Sequence, residues 1–481
     1  MEKNLAELNR SRWTILFVLV LGVFMSTLDS SIVNVALPSM ADSLHATSES
    51  IAWVVSSYLI TVSAAILVFG KLGDLIGQTT VFQIGIVVFT VGSFLCSVSN
   101  SFIMLIIARV VQAIGSAGTM ANSQGIVTRT FPENERGRAL GINGTFVALG
   151  MLAGPPLGGL IVSVASWEYM FWINVPVGIV AFILGMRVYP RVKDRQKAKI
   201  DVPGALLFAM AIVPLFIALE QSITLGFGNW MIIGCLAASA AGFALFYMVE
   251  KRGKDPMLPL HIFKNKWFTV SILCAFLSFV SIFFPALVTP FYLQELLELS
   301  PGMAGLFLAI SPLVLAFVAP LAGNLADRIG SELLTVVGLS LAAIGLAFTA
   351  TLDAHPNLFV MGLFFALTGL GNALFQSPNT RMVMSTLDKK NLGIGGSVNA
   401  LVRNMGLVAG ATLSTMLLYG GMSSALGYTV SDYNPAQAGQ NDAFLHGMRI
   451  AFIVAALICV LGAVITIMRM LARRKEKREA V

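Results

Sequence analysis

Continuous apolar runs recur along the whole chain, and each is long enough to cross a hydrocarbon core about 30 Å thick as an α-helix of about 20 residues. Only 11% of the 481 residues are charged, against roughly a quarter in a typical soluble domain. A β-barrel would show short segments of alternating polarity instead. The chain is therefore predicted to be an all-α membrane protein. Its first run carries Asp29 and lacks a small-residue cleavage pattern, so we interpret it as a span and not as a signal sequence.

Fourteen runs qualify as transmembrane helices, and the basic residues test this count because Lys and Arg are enriched in cytoplasmic loops. If the N-terminus is cytoplasmic, nearly all basic residues fall in the inner connections and the two tails, and the long outer loop 420–447 has none. The pattern predicts fourteen spans with both termini cytoplasmic. They cover residues 13–38, 50–70, 79–99, 102–124, 138–163, 167–189, 203–223, 229–249, 266–293, 303–323, 332–352, 356–379, 397–420 and 448–471.

Two long charged linkers, 187–201 and 250–266, flank the seventh and eighth predicted spans. We therefore predict an N-terminal six-helix bundle in 1–190, linkers with two extra helices in 191–265, and a C-terminal six-helix bundle with a basic cytoplasmic tail in 266–481. An internal repeat supports this division, since GKLGDLIG at 70–77 returns as GNLADRIG at 323–330, 253 positions later. Two repeated halves with a site at their interface are the architecture of alternating-access carriers.

Asp29 lies inside the first span, where a carboxylate costs about 2.5–3.5 kcal/mol. At a rise of 1.5 Å per residue it lies about 13 Å below the outer end of its span, and Arg109 lies about 12 Å below the outer end of the fourth span. The equal depth predicts an interaction, directly or through water, that lowers the cost of both charges. The second half does not repeat the pair, because Phe283 and Leu363 stand at the equivalent positions. The alternative is structural: Asp29 caps a helix, or the two charges only stabilise packing.

Several other classes of function are disfavoured. There is no GxxxxGK[ST] loop and no segment long enough for a nucleotide-binding domain, so uphill transport would use an ion gradient. The four cysteines and four histidines show no metal-ligand spacing, and no nucleophile–base pair lies near a span. We therefore expect no metal, no cofactor and no enzyme activity. The net charge of +7 comes from basic residues in the predicted cytoplasmic connections and tails. Because membrane topology explains this charge, we expect no nucleic-acid partner.

Several stretches resemble the major facilitator superfamily, and in particular its fourteen-span drug/proton antiporters of the QacA and EmrB type. They are LDSSIVNVALP at 28–38, WVVSSYL at 53–59, RVVQAIG at 109–115, FWINVPVG at 171–178 and YLQELLELSPGMAG at 292–305. The resemblance covers nearly the whole chain. It implies the major facilitator fold of two six-helix bundles plus two extra central helices, in a bacterial-type plasma (inner) membrane. A monomer is expected, and the need for an adaptor protein stays open.

The most specific resemblance is to the antiporter motif of the fifth span. Its glycines and proline stand at the family's positions, and their small side chains are expected to form a tight helix seam that blocks proton leak. The residues are Gly141, Gly150, Gly154, Pro155, Gly158 and Gly159.

Two loops are similar to the superfamily's cytoplasmic signature. They contribute Gly70, Asp74 and Gly77 in the first half, and Gly323, Asp327, Arg328 and Gly330 in the second. Leu75 stands where the family usually has a basic residue, so Asp74 lacks its local partner. A charge latch there is doubtful, or it uses Lys71 or a basic residue from elsewhere. The tenth span also lacks the acid that some relatives carry.

A drug cavity needs apolar and aromatic walls with few polar contacts. Candidate wall residues are Asn34, Trp53, Tyr58, Gln112, Asn143, Phe283, Phe291, Tyr292, Gln294, Phe375, Asn379 and Asn399. Any one aromatic could instead face lipid or a neighbouring helix. Asn34, Gln112, Asn174 and Asn379 could equally be interhelical hydrogen-bond residues. Glu220, Glu295 and Glu298 fall near the outer ends of their spans, and a part for them in proton entry stays open.

The sequence therefore indicates an antiporter that exports lipophilic or cationic compounds as protons enter. Asp29 would bind a proton and a drug in alternation, and Arg109 would act as its partner. A dedicated exporter of one metabolite, lipid or peptide would use the same fold. A non-transporting membrane receptor or assembly subunit is the alternative from a different class.

Overall fold

The computed structural model describes residues 2–46, 51, 53–189, 202–226, 228–253, 256, 258, 260–299, 301–388, 392–428, 430 and 437–479. In these residues the regular secondary structure is helical, with fourteen α-helices of at least 15 residues. They are α1 (Glu2–Ser43), α2 (Trp53–Ile76), α3 (Gln78–Ser97), α4 (Phe102–Thr130), α5 (Glu133–Val164), α6 (Asn174–Val188), α7 (Val202–Leu225), α8 (Trp230–Arg252), α9 (Lys266–Phe291), α10 (Pro301–Ile329), α11 (Ser331–Thr349), α12 (Leu358–Ser385), α13 (Leu392–Leu426) and α14 (Gln440–Glu479).

Three short segments complete the described helices. A single α-helical turn, Tyr169–Trp172, precedes α6, a 3₁₀ helix at Leu260–Lys264 precedes α9, and a π-helical turn at Tyr292–Leu296 follows it. Polar side chains fix two of the long helix starts. Ser101 Oγ accepts from Met104 N at 3.3 Å at the start of α4, and Asn265 Oδ1 accepts from Trp267 N at 3.0 Å at the start of α9. Such caps satisfy backbone donors that a helix cannot bond internally.

Twelve segments of the described residues are long and apolar enough to cross a membrane. The chain is thus a multi-pass helical membrane protein. Two predicted spans, 138–163 and 203–223, are not among the twelve, although helices α5 and α7 occupy them. In α7 the part Pro203–Leu219 counts as a shorter apolar helix.

The chain divides into two compact units. Unit 1 comprises Met1–Leu215, Cys235–Lys264 and Met384–Leu401, and unit 2 comprises Phe216–Gly234, Asn265–Val383 and Val402–Val481. The two extra central helices, α7 and α8, are therefore each shared between the units. The division into an N-terminal bundle, a central segment and a C-terminal bundle stays a prediction.

Each unit has its own apolar core. In unit 1, α3 packs along α4, α1 along α5 and α2 along α4. Its buried side chains include Val18, Phe82 and Ile86 near one end of the helices and Ile32, Val54 and Phe171 near the other. In unit 2, α14 packs along α11 and α9, around a core that includes Phe284, Phe444 and Phe452.

The internal repeat is visible in the backbone of the two signature loops. Gly77 precedes α3 with φ 104° and Gly330 precedes α11 with φ 94°, both in the left-handed region that favours glycine. The Gly77 N–H donates to Gly73 O at 3.0 Å, and the Gly330 N–H donates to Ala326 O at 3.2 Å. The same turn therefore ends α2 in unit 1 and α10 in unit 2.

We expect Gly330→Ala to lower the free energy of unfolding by about 1–2 kcal/mol, because an L-residue is strained at this φ. A Cβ at position 330 would meet no atom within 4 Å, so the effect isolates the backbone conformation. Gly305→Ala is the matched control, since position 305 is equally open but lies within helix α10. Alanine there is expected to be neutral or stabilising. Denaturant unfolding in detergent micelles measures the stability of both variants. Equal effects of the two substitutions would contradict the claim that the backbone conformation at position 330 requires glycine.

Candidate functional site

Unit 1 holds two fully buried charges, Asp29 on α1 and Arg109 on α4. The apolar runs that form these helices place both residues well inside a span rather than near its ends. Arg109 Nη1 lies 2.5 Å from Asp29 Oδ2, and both side chains are 0% exposed. The contact expected from their equal depth is therefore present and direct.

Two carboxamides complete the coordination of the Asp29 carboxylate. Gln112 Nε2 donates to Asp29 Oδ1 at 2.8 Å, and Asn174 Nδ2 donates to the same oxygen at 2.9 Å. Gln112 follows Arg109 by one helical turn on α4, whereas Asn174 comes from the first turn of α6. Both carboxylate oxygens are thus engaged by hydrogen-bond donors from side chains of unit 1.

Arg109 is held by neutral groups as well as by Asp29. Its Nε donates to the Val54 carbonyl at 3.0 Å, and its Nη1 donates to Gln112 Oε1 at 2.6 Å. The guanidinium carbon lies 4.2 Å from the centre of the Tyr58 ring and 5.7 Å from that of Phe171. Arg109 Nη2 is buried and has no hydrogen-bond partner among the described residues. The arginine therefore joins α1, α2 and α4 around a single counter-ion.

A hydroxyl network continues from this site. Gln112 Nε2 also donates to Ser93 Oγ at 2.8 Å on α3. The Tyr58 hydroxyl donates to Ser116 Oγ at 2.7 Å, and Ser26 Oγ lies 3.3 Å from Thr119 Oγ1. These contacts satisfy polar groups that would be costly to bury unpaired.

The antiporter motif lies beside Asp29. A Cβ added to Gly150 would lie 2.9 Å from Leu28 N, and one added to Gly154 would lie 2.8 Å from Ile32 N. Ser31 Oγ donates to the Gly150 carbonyl at 3.0 Å. The two glycines therefore bring α5 into backbone contact with α1 on both sides of Asp29. Of the other motif residues, Gly141 and Gly158 are buried and Gly159 is half-buried, while the side chain of Pro155 lies outside the described residues.

Asp74 in the first signature loop has partners from three helices. Its Oδ1 lies 3.4 Å from Arg129 Nη2 at the end of α4 and accepts from Gln78 Nε2 at 3.2 Å. Its Oδ2 accepts from the Ile394 N–H at 3.2 Å, in the first turn of α13 within the same unit. The basic partner thus comes from elsewhere in the fold, which is one of the alternatives that the sequence left open. In the second loop, Arg328 is exposed and the Asp327 side chain lies outside the described residues.

The cavity candidates of unit 1 fall into three groups. Tyr58 and Gln112 belong to the charge site described above. Asn143 is buried, and its Oδ1 has no partner among the described residues, whereas Asn399 Nδ2 donates to Gln124 Oε1 at 3.0 Å. Trp53 is half-buried, and the Asn34 side chain lies outside the described residues.

Two aromatic candidates of unit 2 are buried within apolar clusters, and their part in a cavity stays a prediction. Tyr292 and Phe375 are 1% and 2% exposed within apolar clusters, and the Tyr292 hydroxyl donates to the Asp353 carbonyl at 2.6 Å. Phe283 is half-buried on the α9–α13 seam, where its Cβ would lie 2.8 Å from a Cβ at Gly410. An aromatic residue type does not distinguish a packed core from a cavity wall.

The remaining candidates are placed as follows. Phe291 is 39% exposed, Gln294 is exposed, and Asn379 is buried with no partner for its Oδ1 among the described residues. Glu295 and Glu298 are exposed beyond the end of α9, and the side chain of Glu220 lies outside the described residues.

Sequence reasoning did not include Asn174 or Ser93 in the charge site. The sequence marks Asn174 only as one of several interhelical amides. Pro176 is the sequence signal that could have placed Asn174 at the start of a helix. It has no N–H and cannot donate to the Trp172 carbonyl, and α6 starts at Asn174.

The fold and this buried charge site define a helical membrane protein of the transporter class. The sequence matches the Major Facilitator Superfamily over residues 19–257 and 271–481, and the chain therefore belongs to that family of membrane transporters. It is 34% identical to the riboflavin transporter RibZ of Clostridioides difficile, over 95% of this chain and 97% of that protein. It is 30% identical to the multidrug resistance protein Stp of Mycobacterium tuberculosis, over 87% of this chain and 78% of that protein. The fold is similar to that of the human organic anion transporter MFSD10, with a TM-score of 0.65 at 15% identity over 94% of this chain and 98% of that one.

A double-mutant cycle tests the energetic role of the charge pair. Arg109→Gln leaves a buried carboxylate without its counter-ion, and we expect a loss of about 3–5 kcal/mol in the free energy of unfolding. Adding Asp29→Asn removes the second charge, so the double variant is expected to recover more than half of that loss. Denaturant titration in detergent measures all four proteins. Additive effects of the two substitutions would show that the charges do not depend on each other.

Proposed function

We propose that this protein is a proton-coupled antiporter that exports lipophilic or cationic compounds by alternating access. The observation that carries the proposal is the Asp29–Arg109 pair, a titratable group and its counter-ion buried together within the spans. Intramembrane ionisable residues are costly, and they commonly mark ion or proton pathways. The multidrug resistance protein among the relatives supports the choice of cargo.

Protonation of Asp29 would convert a neutral pair into an unpaired cation. Arg109 would keep Val54 O, Gln112 Oε1 and the Tyr58 ring, all of them uncharged partners. An uncompensated charge in a low-dielectric interior is strongly unfavourable. The protonated state would therefore favour an arrangement of α1 and α4 in which water or another group reaches Arg109. Proton uptake by Asp29 would therefore change the arrangement of α1 and α4.

Asp29 is fully buried, and this limits how a drug could compete with the proton for it. Because three donors of unit 1 occupy both carboxylate oxygens, Asp29 has no exposed acceptor to offer to a cation in this arrangement. We propose that a drug competes with the proton through the position of Arg109 and Tyr58, and not through direct contact with Asp29. Direct contact would require Arg109 to leave first.

Three finer features belong to the same proposal. We propose that α5 and α7 also cross the membrane, which gives fourteen spans with both termini cytoplasmic in a bacterial inner membrane. The length of these two helices supports this, as does the distribution of basic residues along the chain. The contacts of Asp74 with Arg129 and Ile394 N support a charge latch at the inner ends of α2, α4 and α13.

A dedicated exporter on the same fold is the second candidate, and one observation favours it. The relative RibZ is described as a riboflavin transporter, and it matches nearly the whole chain. Hydrophobic sites discriminate weakly among apolar cargo, so a change in few residues could separate the two functions.

The antiport proposal is tested in energised inside-out vesicles that carry a pH-sensitive dye. We expect addition of ethidium, tetraphenylphosphonium or related cations to cause proton release, and Asp29→Asn to abolish it because the site can no longer exchange a proton. The control is Asp442→Asn, an exposed acid in the first turn of α14, which is expected to behave as wild type. Proton release with riboflavin alone would favour the dedicated exporter. Absence of release with every compound would reject antiport.

The close contact of Gly150 and Gly154 on α5 with α1 leads to a prediction about proton leak. Gly154→Ala would press a methyl group against Ile32 N and Ser31, which separates α5 from α1 and costs about 1–3 kcal/mol. We expect faster proton leak into proteoliposomes under an imposed pH gradient without drug. Gly234→Ala on α8 is the matched control, because a Cβ there meets nothing within 4 Å. A leak no faster than in this control would show that the contact between α1 and α5 is not part of the barrier to proton flow.

A further inference from the structure

We propose that a basic cluster of unit 2, where Arg469, Arg473 and Trp267 meet, binds the phosphate group of an anionic phospholipid. These residues belong to unit 2, whereas the Asp29–Arg109 pair belongs to unit 1, and the proposal does not depend on antiport. The observations that carry it are the ends of three spans, an excess of positive charge and a buried arginine with an unused donor.

The cluster lies where three spans of unit 2 end. Lys266 begins one candidate span, Ser331 begins a second, and Arg473 ends a third. Arg469 Nη1 donates to the Trp267 carbonyl at 3.1 Å, which joins α14 to α9. Basic and tryptophan side chains at the end of a span lie at the level of the lipid headgroups. A phospholipid phosphate is therefore available at this depth.

Arg469 has a hydrogen-bond donor that the described residues leave unused. Its Nη1 also donates to Ser271 Oγ on α9. Its Nη2 is buried and has no hydrogen-bond partner among the described residues. The residue is 3% exposed, and a charged donor that is buried without a partner is costly. The surroundings of Arg469 thus favour the approach of a further anion.

The cluster also lacks one negative charge. Glu332 Oε1 lies 3.5 Å from Arg469 Nε and 3.0 Å from Arg473 Nη1, so one carboxylate serves two guanidinium groups. The nearby cation Lys266 pairs with Glu476. Within the part of the chain that the structure describes, these contacts leave one cation in excess. A phosphate group with a single negative charge would neutralise it.

The accessible groups of the cluster suit a phosphate. The Arg473 side chain is 41% exposed and that of Lys266 is 63% exposed. Arg473 Cζ lies 5.7 Å and Lys266 Nζ 4.7 Å from the centre of the half-buried Trp267 ring. A guanidinium can bind phosphate through two parallel N–H donors. We expect the phosphate to bind to Arg473, with Lys266 and Arg469 contributing charge.

The sequence around the cluster strengthens the attraction. The segment RMLARRKEKRE at 469–479 has six basic residues against two acidic ones. Its first part ends an apolar span, and a polybasic segment directly beyond a span attracts anionic lipids. The partner is therefore inferred to be a membrane lipid with a net negative headgroup.

Native mass spectrometry of the purified full-length protein tests the site, with phosphatidylglycerol as the probe. We expect a saturable site in the wild type, and Arg473→Gln to raise its Kd by about tenfold, as for the loss of a hydrogen bond to a charged group. Arg252→Gln is the matched control, because Arg252 is an exposed arginine at the end of α8 in unit 1. The control should bind phosphatidylglycerol as the wild type does.

Glu332→Gln separates a lipid site from a cluster that only holds helices together. Removal of the carboxylate leaves both arginines without a competing anion, so we expect phosphatidylglycerol to bind about two- to fivefold more tightly. If the cluster were only structural, lipid binding would stay the same or weaken, which would overturn the inference. Lys266→Gln, expected to weaken binding, replaces either variant if that variant does not fold.

Two further probes distinguish a lipid headgroup from a free phosphate. Inorganic phosphate should not displace phosphatidylglycerol, and phosphatidylcholine should bind more weakly because its choline neutralises the phosphate. Displacement by inorganic phosphate would overturn the lipid assignment in favour of a soluble anion. Equal binding of phosphatidylcholine, or an unchanged Kd in Arg473→Gln, would also overturn the inference.

Discussion

The ion pair between Asp29 and Arg109 is the interaction around which unit 1 is arranged. Four helices contribute side chains to it directly or through Gln112, and α2 adds a backbone carbonyl and the Tyr58 ring. Neither charge is tolerable alone at this depth, because an unpaired buried ion costs several kcal/mol even after relaxation. The polar residues of α3, α4 and α6 are best understood as supports of one neutral assembly. They satisfy both oxygens of the carboxylate and the Nε and Nη1 donors of the guanidinium, while Nη2 has no partner among the described residues.

The glycines of α5 bring that helix into close contact with α1, which carries Asp29. Packing between membrane helices depends on close approach, since burial of apolar surface gains little against lipid. Gly150 and Gly154 allow backbone contact with α1 on either side of Asp29, where any side chain would hold the helices apart. A dry environment makes the pair stronger, and it also makes the loss of one charge more consequential. These glycines thus affect the surroundings of the charge pair through backbone packing.

Sequence reasoning reached the helical class, the repeat and the Asp29–Arg109 contact, because each follows from a local rule. Apolar run length gives the helices, and residue counting along two helices gives equal depth. The partners of Asp74 could not be derived in this way, since Arg129 lies 55 positions away and Ile394 lies 320 positions away along the chain. The burial of Tyr292 and Phe375 within apolar clusters could not be derived either, because residue type does not reveal which side of a helix faces the core.

The two units share a loop geometry but differ in where they bury charge. Gly77 and Gly330 form the same turn, yet the equivalents of Asp29 and Arg109 are apolar in unit 2. Unit 2 instead buries Arg469 at the end of its last span, next to Glu332 and Trp267. A membrane potential supplies about 2.3 kcal/mol per charge per 100 mV, which is comparable to the cost of leaving one buried ion unpaired. Under the proposed antiport, a single pair in unit 1 would therefore be sufficient, in magnitude, to convert a proton gradient into a change of helix packing. A second buried pair in unit 2 would double the energetic penalty, and the proposed mechanism would gain no second route for the same proton.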